Sequence, residues 1–238
     1  RLGGLTLPEI KPIIASQKIK HYRNKLEFSF TSYRWFTNEE MDSGKELSRN
    51  GLGYHLPKSF DKVFDVDHCY LQPEPSDSIR LAIKEIALRE NIPFFDTKRQ
   101  TGFLRTLGIR TANTGEAMVI LQVTSYNKEW IEKILGHVST TFPQVTSLNY
   151  VVNAKKNDTY GDLDVHCWKG KAFITEYMKK PDGSGMLQFR VGPKSFYQTN
   201  AEQAHELYQV AWQLAELKGS ELVYDLYTGT GTIANFVA

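Results

Sequence analysis

The sequence predicts an α+β module joined to the opening of an α/β domain of the doubly wound type. Three observations carry this. Residues 58–186 mix period-two apolar alternation with two helical stripes. Residues 186–219 then read as strand, polar loop and helix. Finally, Leu222-Val-Tyr-Asp225-Leu-Tyr-Thr-Gly229-Thr-Gly231-Thr232 reads as strand, glycine turn and helix start. That succession is how a doubly wound sheet begins.

In chain order, residues 1–20, with Pro8, Pro12, Lys18 and Lys20, form a lead-in. Leu26, Phe28 and Phe30 alternate with Glu27 and Ser29, as in a half-buried strand, and Arg34-Trp-Phe36 is expected to return as a hairpin. His21, Arg23 and Lys25 share one alternation face, either a basic edge for phosphates or a solvated face. Residues 37–53 read as a loop, followed by short extended pieces at 53–60 and 63–66. Ile79, Ala82, Ile83, Ile86 and Ala87 make a helical stripe ending near Asn91, before Pro93. Residues 104–111 and 117–124 flank Asn113-Thr-Gly115 and predict a hairpin. Asn127 caps a second helix with the stripe Ile131, Ile134, Leu135 and Val138, stopped by Pro143. Strands follow at 145–152, 164–168 and 173–178, so the middle reads as an antiparallel sheet with two helices. After a strand at 186–191, Thr199 and Glu202 have capping-box spacing ahead of a helix whose apolar face is Ala204, Leu207, Ala211, Leu214 and Ala215. The expected divisions are 1–57, lead-in and hairpin; 58–186, central module; 187–238, start of the α/β domain.

With 41% hydrophobic and 24% charged residues the chain has the composition of a soluble globular protein, and a net charge of +2 requires any basic footprint to be local. No apolar run reaches membrane-spanning length. Two distant cysteines, Cys69 and Cys167, make neither a metal pair nor a disulfide framework and favour a reducing cytoplasm. The six histidines show no metal-ligand spacing. An opening at Arg1 and an end inside the apolar run 233–238 lead us to expect a fragment.

The glycine motif carries the chemistry. Gly229 and Gly231 admit a ligand close to the main chain, the free amides of the next helix face a polar group, and Asp225 can accept from hydroxyls. This suits a nucleoside-bearing cofactor. Asp225, four positions before the first glycine, leans toward S-adenosyl-L-methionine. Gly229-Thr-Gly231-Thr-Ile-Ala234 also satisfies the dinucleotide pattern GxGxxA, so an oxidoreductase reading and a merely structural turn both stay open at this point.

Three segments together resemble the RNA uracil-C5 methyltransferase family: His21-Tyr-Arg23-Asn24-Lys25-Leu-Glu-Phe28, Gly192-Pro-Lys-Ser-Phe196-Tyr-Gln198-Thr-Asn200, and Asp225-Leu-Tyr227-Thr-Gly229-Thr-Gly231. The FxQxN element followed by the glycine motif is more specific than either part, and the branch it most resembles methylates 23S ribosomal RNA. The resemblance implies a Rossmann-like S-adenosylmethionine-dependent methyltransferase domain over 187–238, against which segment 1–57 packs. It implies that Gln198, Tyr227, Asp225, Gly229, Gly231 and Thr232 bind the cofactor and that Phe196 lies near the target base. Arg23, Asn24 and Lys25 match a segment that touches RNA. Ordinary core packing is the alternative for Phe196 and Tyr227.

The chain also departs from the family. The N-terminal RNA-binding barrel and the iron-sulfur cysteine cluster of many members are not seen. Nor are the Ser-Cys-Asn-Pro cysteine, the Asp-Pro-Pro-Arg motif and the general-base glutamate that follow the glycine motif. The family's chemistry needs a thiolate to add to uracil C6, so that C5 can attack a sulfonium methyl, and a base to remove the C5 proton before the thiolate leaves. Neither cysteine here has the nucleophile's surroundings, so no catalytic residue is assigned and the chain alone is expected to be inactive. Residues 187–238 should lean on the central module, pair with another copy, or be mobile. The competing expectation is a non-catalytic RNA-binding module.

Overall fold

The computed structural model describes residues 3–4 and 9–238; residues 1, 2 and 5–8, including Pro8 of the predicted lead-in, lie outside the described residues. The alternation at the N-terminal end forms β1 (Lys25–Thr31), with Leu26, Phe28 and Phe30 buried. Next come β2 (Arg34–Trp35), α1 (Asn38–Asp42), β3 (Gly51–His55) and β4 (Val63–Asp65). The expected hairpin return at 34–36 does not form. Both edges of β1 are taken, by β3 and by β5 (Leu104–Thr111), and β2 instead pairs in parallel with β4. The segment read as a loop holds α1, started by a capping box in which Thr37 Oγ1 accepts from the Glu40 N–H and the Glu40 carboxylate from the Thr37 N–H. Gly53 is required: a Cβ there would lie 1.9 Å from the Phe64 carbonyl oxygen on β4.

Helix α2 (Ser76–Arg89) buries Ile79, Ile83, Ile86 and Ala87, as its stripe predicts. It also buries Arg80, whose guanidinium pairs with Asp77 at 3.0 Å and donates to the Val66 carbonyl. The predicted hairpin is β5 with β6 (Ala117–Val123), and α3 (Lys128–Thr141) is capped by Asn127, whose side chain accepts from the Trp130 N–H at 3.1 Å. Strands β7 (Val145–Val152) and β8 (His166–Gly170) complete an eight-stranded sheet in the order β2-β4-β3-β1-β5-β6-β7-β8. The sheet is mixed, correcting the antiparallel reading: β6 and β7 run parallel because α3 is the crossover between them. Strands from both sides of residue 57 pair within it.

Strand β6 feeds two cores by simple alternation. Val119 and Leu121 face the core under α2 and α3, whereas Met118 and Ile120 face a second core on the other side of the sheet. The second core is completed by a hairpin of β9 (Ile174–Lys179) and β10 (Met186–Val191), by α4 (Ala201–Ala215) and by α5 (Thr232–Val237). Ile174, Phe189, Tyr208 and Phe236 are buried there, each contributing about 1.5–3 kcal/mol of apolar burial. Of the three expected behaviours of residues 187–238, leaning on the central module is the one observed. No described helix is long and apolar enough to cross a membrane.

Three expectations for this region are corrected. The cap of α4 is Asn200, not Thr199, with Asn200 Oδ1 accepting from the Gln203 N–H at 3.0 Å, and Glu202 pairs instead with Lys18. Only Ala204 and Tyr208 of α4 are buried; Leu207 and Leu214 of the predicted apolar face are exposed. Residues 222–225 form no strand. A strand exists through ladder partners, and among the described residues this stretch has none, which leaves Leu222, Val223 and Tyr224 exposed.

Candidate cofactor and RNA site

The loop from β10 to α4, carrying Phe196-Tyr-Gln198-Thr-Asn200, is held from the sheet side by two residues. Asn24, just ahead of β1, donates its side-chain amide to the Gln198 carbonyl at 2.8 Å and its backbone N–H to the Thr199 carbonyl at 2.8 Å. Arg110, buried on β5, donates to the Ser195 carbonyl at 2.6 Å and the Pro193 carbonyl at 3.4 Å. Burial draws the Arg110 guanidinium below its ordinary pKa. Tyr160 adds a hydroxyl donated to the Pro193 carbonyl at 3.2 Å.

The glycine turn docks on the same loop. Thr230 Oγ1 donates to the Phe196 carbonyl at 3.0 Å, and Thr232 Oγ1 lies 3.3 Å from the Tyr208 hydroxyl on α4. Tyr227, Gly229 and Gly231 all have positive φ (61°, 58° and 71°), the conformation in which glycine is least strained. At Gly231 a Cβ would meet Asn235 Nδ2 at 2.9 Å. Gly231 caps α5, and Asp225, just before the turn, has a buried Oδ2 with no hydrogen-bond partner among the described residues.

The structure therefore brings the two motifs together through Phe196 and Thr230. Phe196 is 69% exposed and Tyr227 fully exposed, so neither is a core residue. Lys25 is engaged with Glu27 at 2.7 Å, and Arg23 lines a cavity together with the buried Tyr197. A second cavity of about 460 Å³ is bordered by Arg190, Thr230 and Asn235, and neither cavity is lined by Asp225, Tyr227, Gly229 or Gly231. Cys69 sits in the core, 3.5 Å from the Tyr54 hydroxyl, and Cys167 lies exposed on the edge strand β8. Sequence reading missed Arg110 and Tyr197. Arg110 has partners more than eighty residues away, and Tyr197 lies in an irregular loop without periodicity, so neither left a local signal.

No protein-family model matches the chain. Over its full length it is 48% identical to a protein of Bacteroides thetaiotaomicron and 48% identical to one of Porphyromonas gingivalis, both named as uncharacterized RNA methyltransferases. It covers 52% and 51% of them respectively, so the chain spans about half the length of the curated relatives it matches. The solved structure of the Pyrococcus abyssi tRNA (uracil-54, C5)-methyltransferase in complex with S-adenosyl-L-homocysteine superposes with a TM-score of 0.69 at 28% identity, covering 94% of this chain and 48% of that one. From end to end, then, the chain is a homologue of one half of proteins named RNA methyltransferases, with the architecture of the matching half of a transfer-RNA uracil-C5 methyltransferase.

Proposed function

We propose that this chain is the part of an S-adenosylmethionine-dependent RNA (uracil-5-)-methyltransferase that joins the central module to the first cofactor-facing turn. The observation that carries the reading is the bond from Thr230 to the Phe196 carbonyl, which seats the glycine turn against the FxQxN loop. Similarity along the whole chain to RNA methyltransferases, and to a structure holding S-adenosyl-L-homocysteine, supports it.

On this reading the unpartnered Oδ2 of Asp225 accepts from ribose hydroxyls, and Gly229 and Gly231 keep the main chain open to the cofactor. Thr232, Tyr227 and Gln198 border the same ligand. S-adenosylmethionine, when bound, supplies an electrophilic methyl group. Phe196 offers its exposed ring to the target uracil, and Arg23 and Lys25 lie on the RNA side. Asn24 acts as a positioning residue, because its amide is committed to the Gln198 carbonyl. The motifs favour 23S ribosomal RNA as the substrate to try first, with transfer RNA second.

Neither thiol suits the uracil-activating role: Cys69 is buried and Cys167 lies on the edge strand. The thiolate and base are assigned to polypeptide outside these residues, and the 238 residues alone are inactive. A polypeptide of the relatives' length, incubated with S-adenosylmethionine and RNA containing 5-fluorouridine, should give a denaturation-resistant protein–RNA adduct that this chain alone does not give. An adduct mapped to Cys69 or Cys167 contradicts the assignment.

A further inference from the structure

A groove of about 900 Å³ lies between residues 16–24, the β9–β10 hairpin and the start of α4. Arg23 Nε, Asn24 Oδ1, Tyr197 Oη and His205 Nε2 are buried without a hydrogen-bond partner among the described residues, and all four residues line this groove. Tyr197 is only 5% exposed. Native structures rarely leave such atoms unpaired, and four on one cavity of ligand size point to a molecule that completes them.

The polarity of the set says which kind. Arg23 Nε only donates, and Asn24 Oδ1 only accepts because the amide nitrogen serves Gln198; Tyr197 and His205 can do either. A free phosphate is chiefly an acceptor and carries negative charge, and it would face the oxygen of Asn24 and the carboxyl of Glu176, which also lines the groove. A nucleobase edge presents donors and acceptors side by side. The half-exposed ring of Tyr177 gives a stacking surface, and the exposed Lys20 and Lys179 supply positive charge for a backbone phosphate.

We propose that this groove holds one unstacked nucleotide of single-stranded RNA, its base on Arg23, Asn24, Tyr197 and His205 and its phosphate beside Lys20 and Lys179. The inference rests on the RNA reading above and concerns a second contact on that RNA, apart from the uridine that receives the methyl group.

The test uses this chain and a fluorescein-labelled pentaribonucleotide, with affinity read by anisotropy. Tyr197→Phe removes one hydroxyl from a side chain that otherwise keeps its packing, and Lys179→Ala removes one rim charge. Each should weaken binding about fivefold or more, the effect of one lost hydrogen bond or phosphate contact, while Lys62→Ala, an exposed lysine outside the groove, changes it less than about twofold. The same RNA carrying 4-thiouridine should cross-link on irradiation to Tyr177 or Tyr197. Parent-like binding by Tyr197→Phe, cross-links confined to other surfaces, complete competition by inorganic phosphate, or no RNA binding would overturn the proposal. Binding is read directly here, so a longer polypeptide that fails to methylate leaves a positive result standing. Methylation alongside a groove that takes no RNA overturns this inference alone.

Discussion

Asn24 Nδ2 donates to the carbonyl of Gln198 at 2.8 Å, fastening the first residue ahead of β1 to the loop that precedes α4. The Asn24 carbonyl in turn accepts from the Thr111 N–H at 3.0 Å, so the loop is tied to the two central strands of the sheet. Asn24→Ala should lower the stability of the chain by about 1 kcal/mol, the usual worth of such a bond, in a urea titration. Asn24→Asp should cost more, since a carboxylate there faces a carbonyl oxygen. In a polypeptide of the relatives' length, either change should weaken S-adenosylmethionine binding as read by calorimetry.

Arg110 supports the other end of the same loop from inside the protein. Arg110→Ala removes the side-chain donor of the Ser195 carbonyl and leaves the Pro193 carbonyl to Tyr160 alone, and should cost about 2–3 kcal/mol by chemical denaturation, as loss of a buried charged donor does. Arg110→Lys, with one reach instead of a fork, should recover only part of it.

Glu176 gives a pH dependence with a definite sign. Burial raises its carboxyl from 4.5 to about 7, against a smaller opposing effect of the Asn113 N–H that bonds to it. Below pH 4.5 the group is protonated whether folded or unfolded, and its contribution to stability is fully present. Between 4.5 and 7 only the folded chain holds the proton, so that contribution is lost as pH rises through 7. The melting temperature of Glu176→Gln relative to the parent should therefore climb from pH 5 to about pH 7 and level off above it. A constant difference would contradict a buried, proton-holding Glu176.

Gly53 is a stability test remote from the site. A Cβ 1.9 Å from the Phe64 carbonyl oxygen cannot be relieved by a side-chain rotation, so Gly53→Ala should cost about 3 kcal/mol or more, or prevent folding, by thermal melt.

What the sequence disclosed and what it hid divide along physical lines. Leu26, Phe28 and Phe30, and the stripe from Ile131 to Val138, were legible because each buries one face of one element, and that periodicity is local. The insertion of β1 between β3 and β5 was not, because pairing over eighty residues leaves no local mark. The parallel step from β6 to β7 was misread although a helix stood between the strands, a sign of a crossover. The apolar run ending at Asp225 had the composition of a strand, but composition cannot supply a ladder partner. At the candidate site, the motif residues were visible by spacing. Of the residues that hold them, Arg110 shows in the sequence only as one more charged group in a strand, and its carbonyl partners are set by the fold.

A catalyst acting on carbon 5 of uridine in RNA must exchange the C5 proton for the methyl group. The most direct measurement uses RNA tritiated at uridine C5 together with methyl-labelled S-adenosylmethionine and a polypeptide of the relatives' length, following tritium released to water and methyl label gained by RNA. Release and gain are expected in equal amounts, both abolished by Asp225→Ala. Methyl label gained with C5 tritium fully retained would place the methyl group on another atom and contradict the assignment to carbon 5.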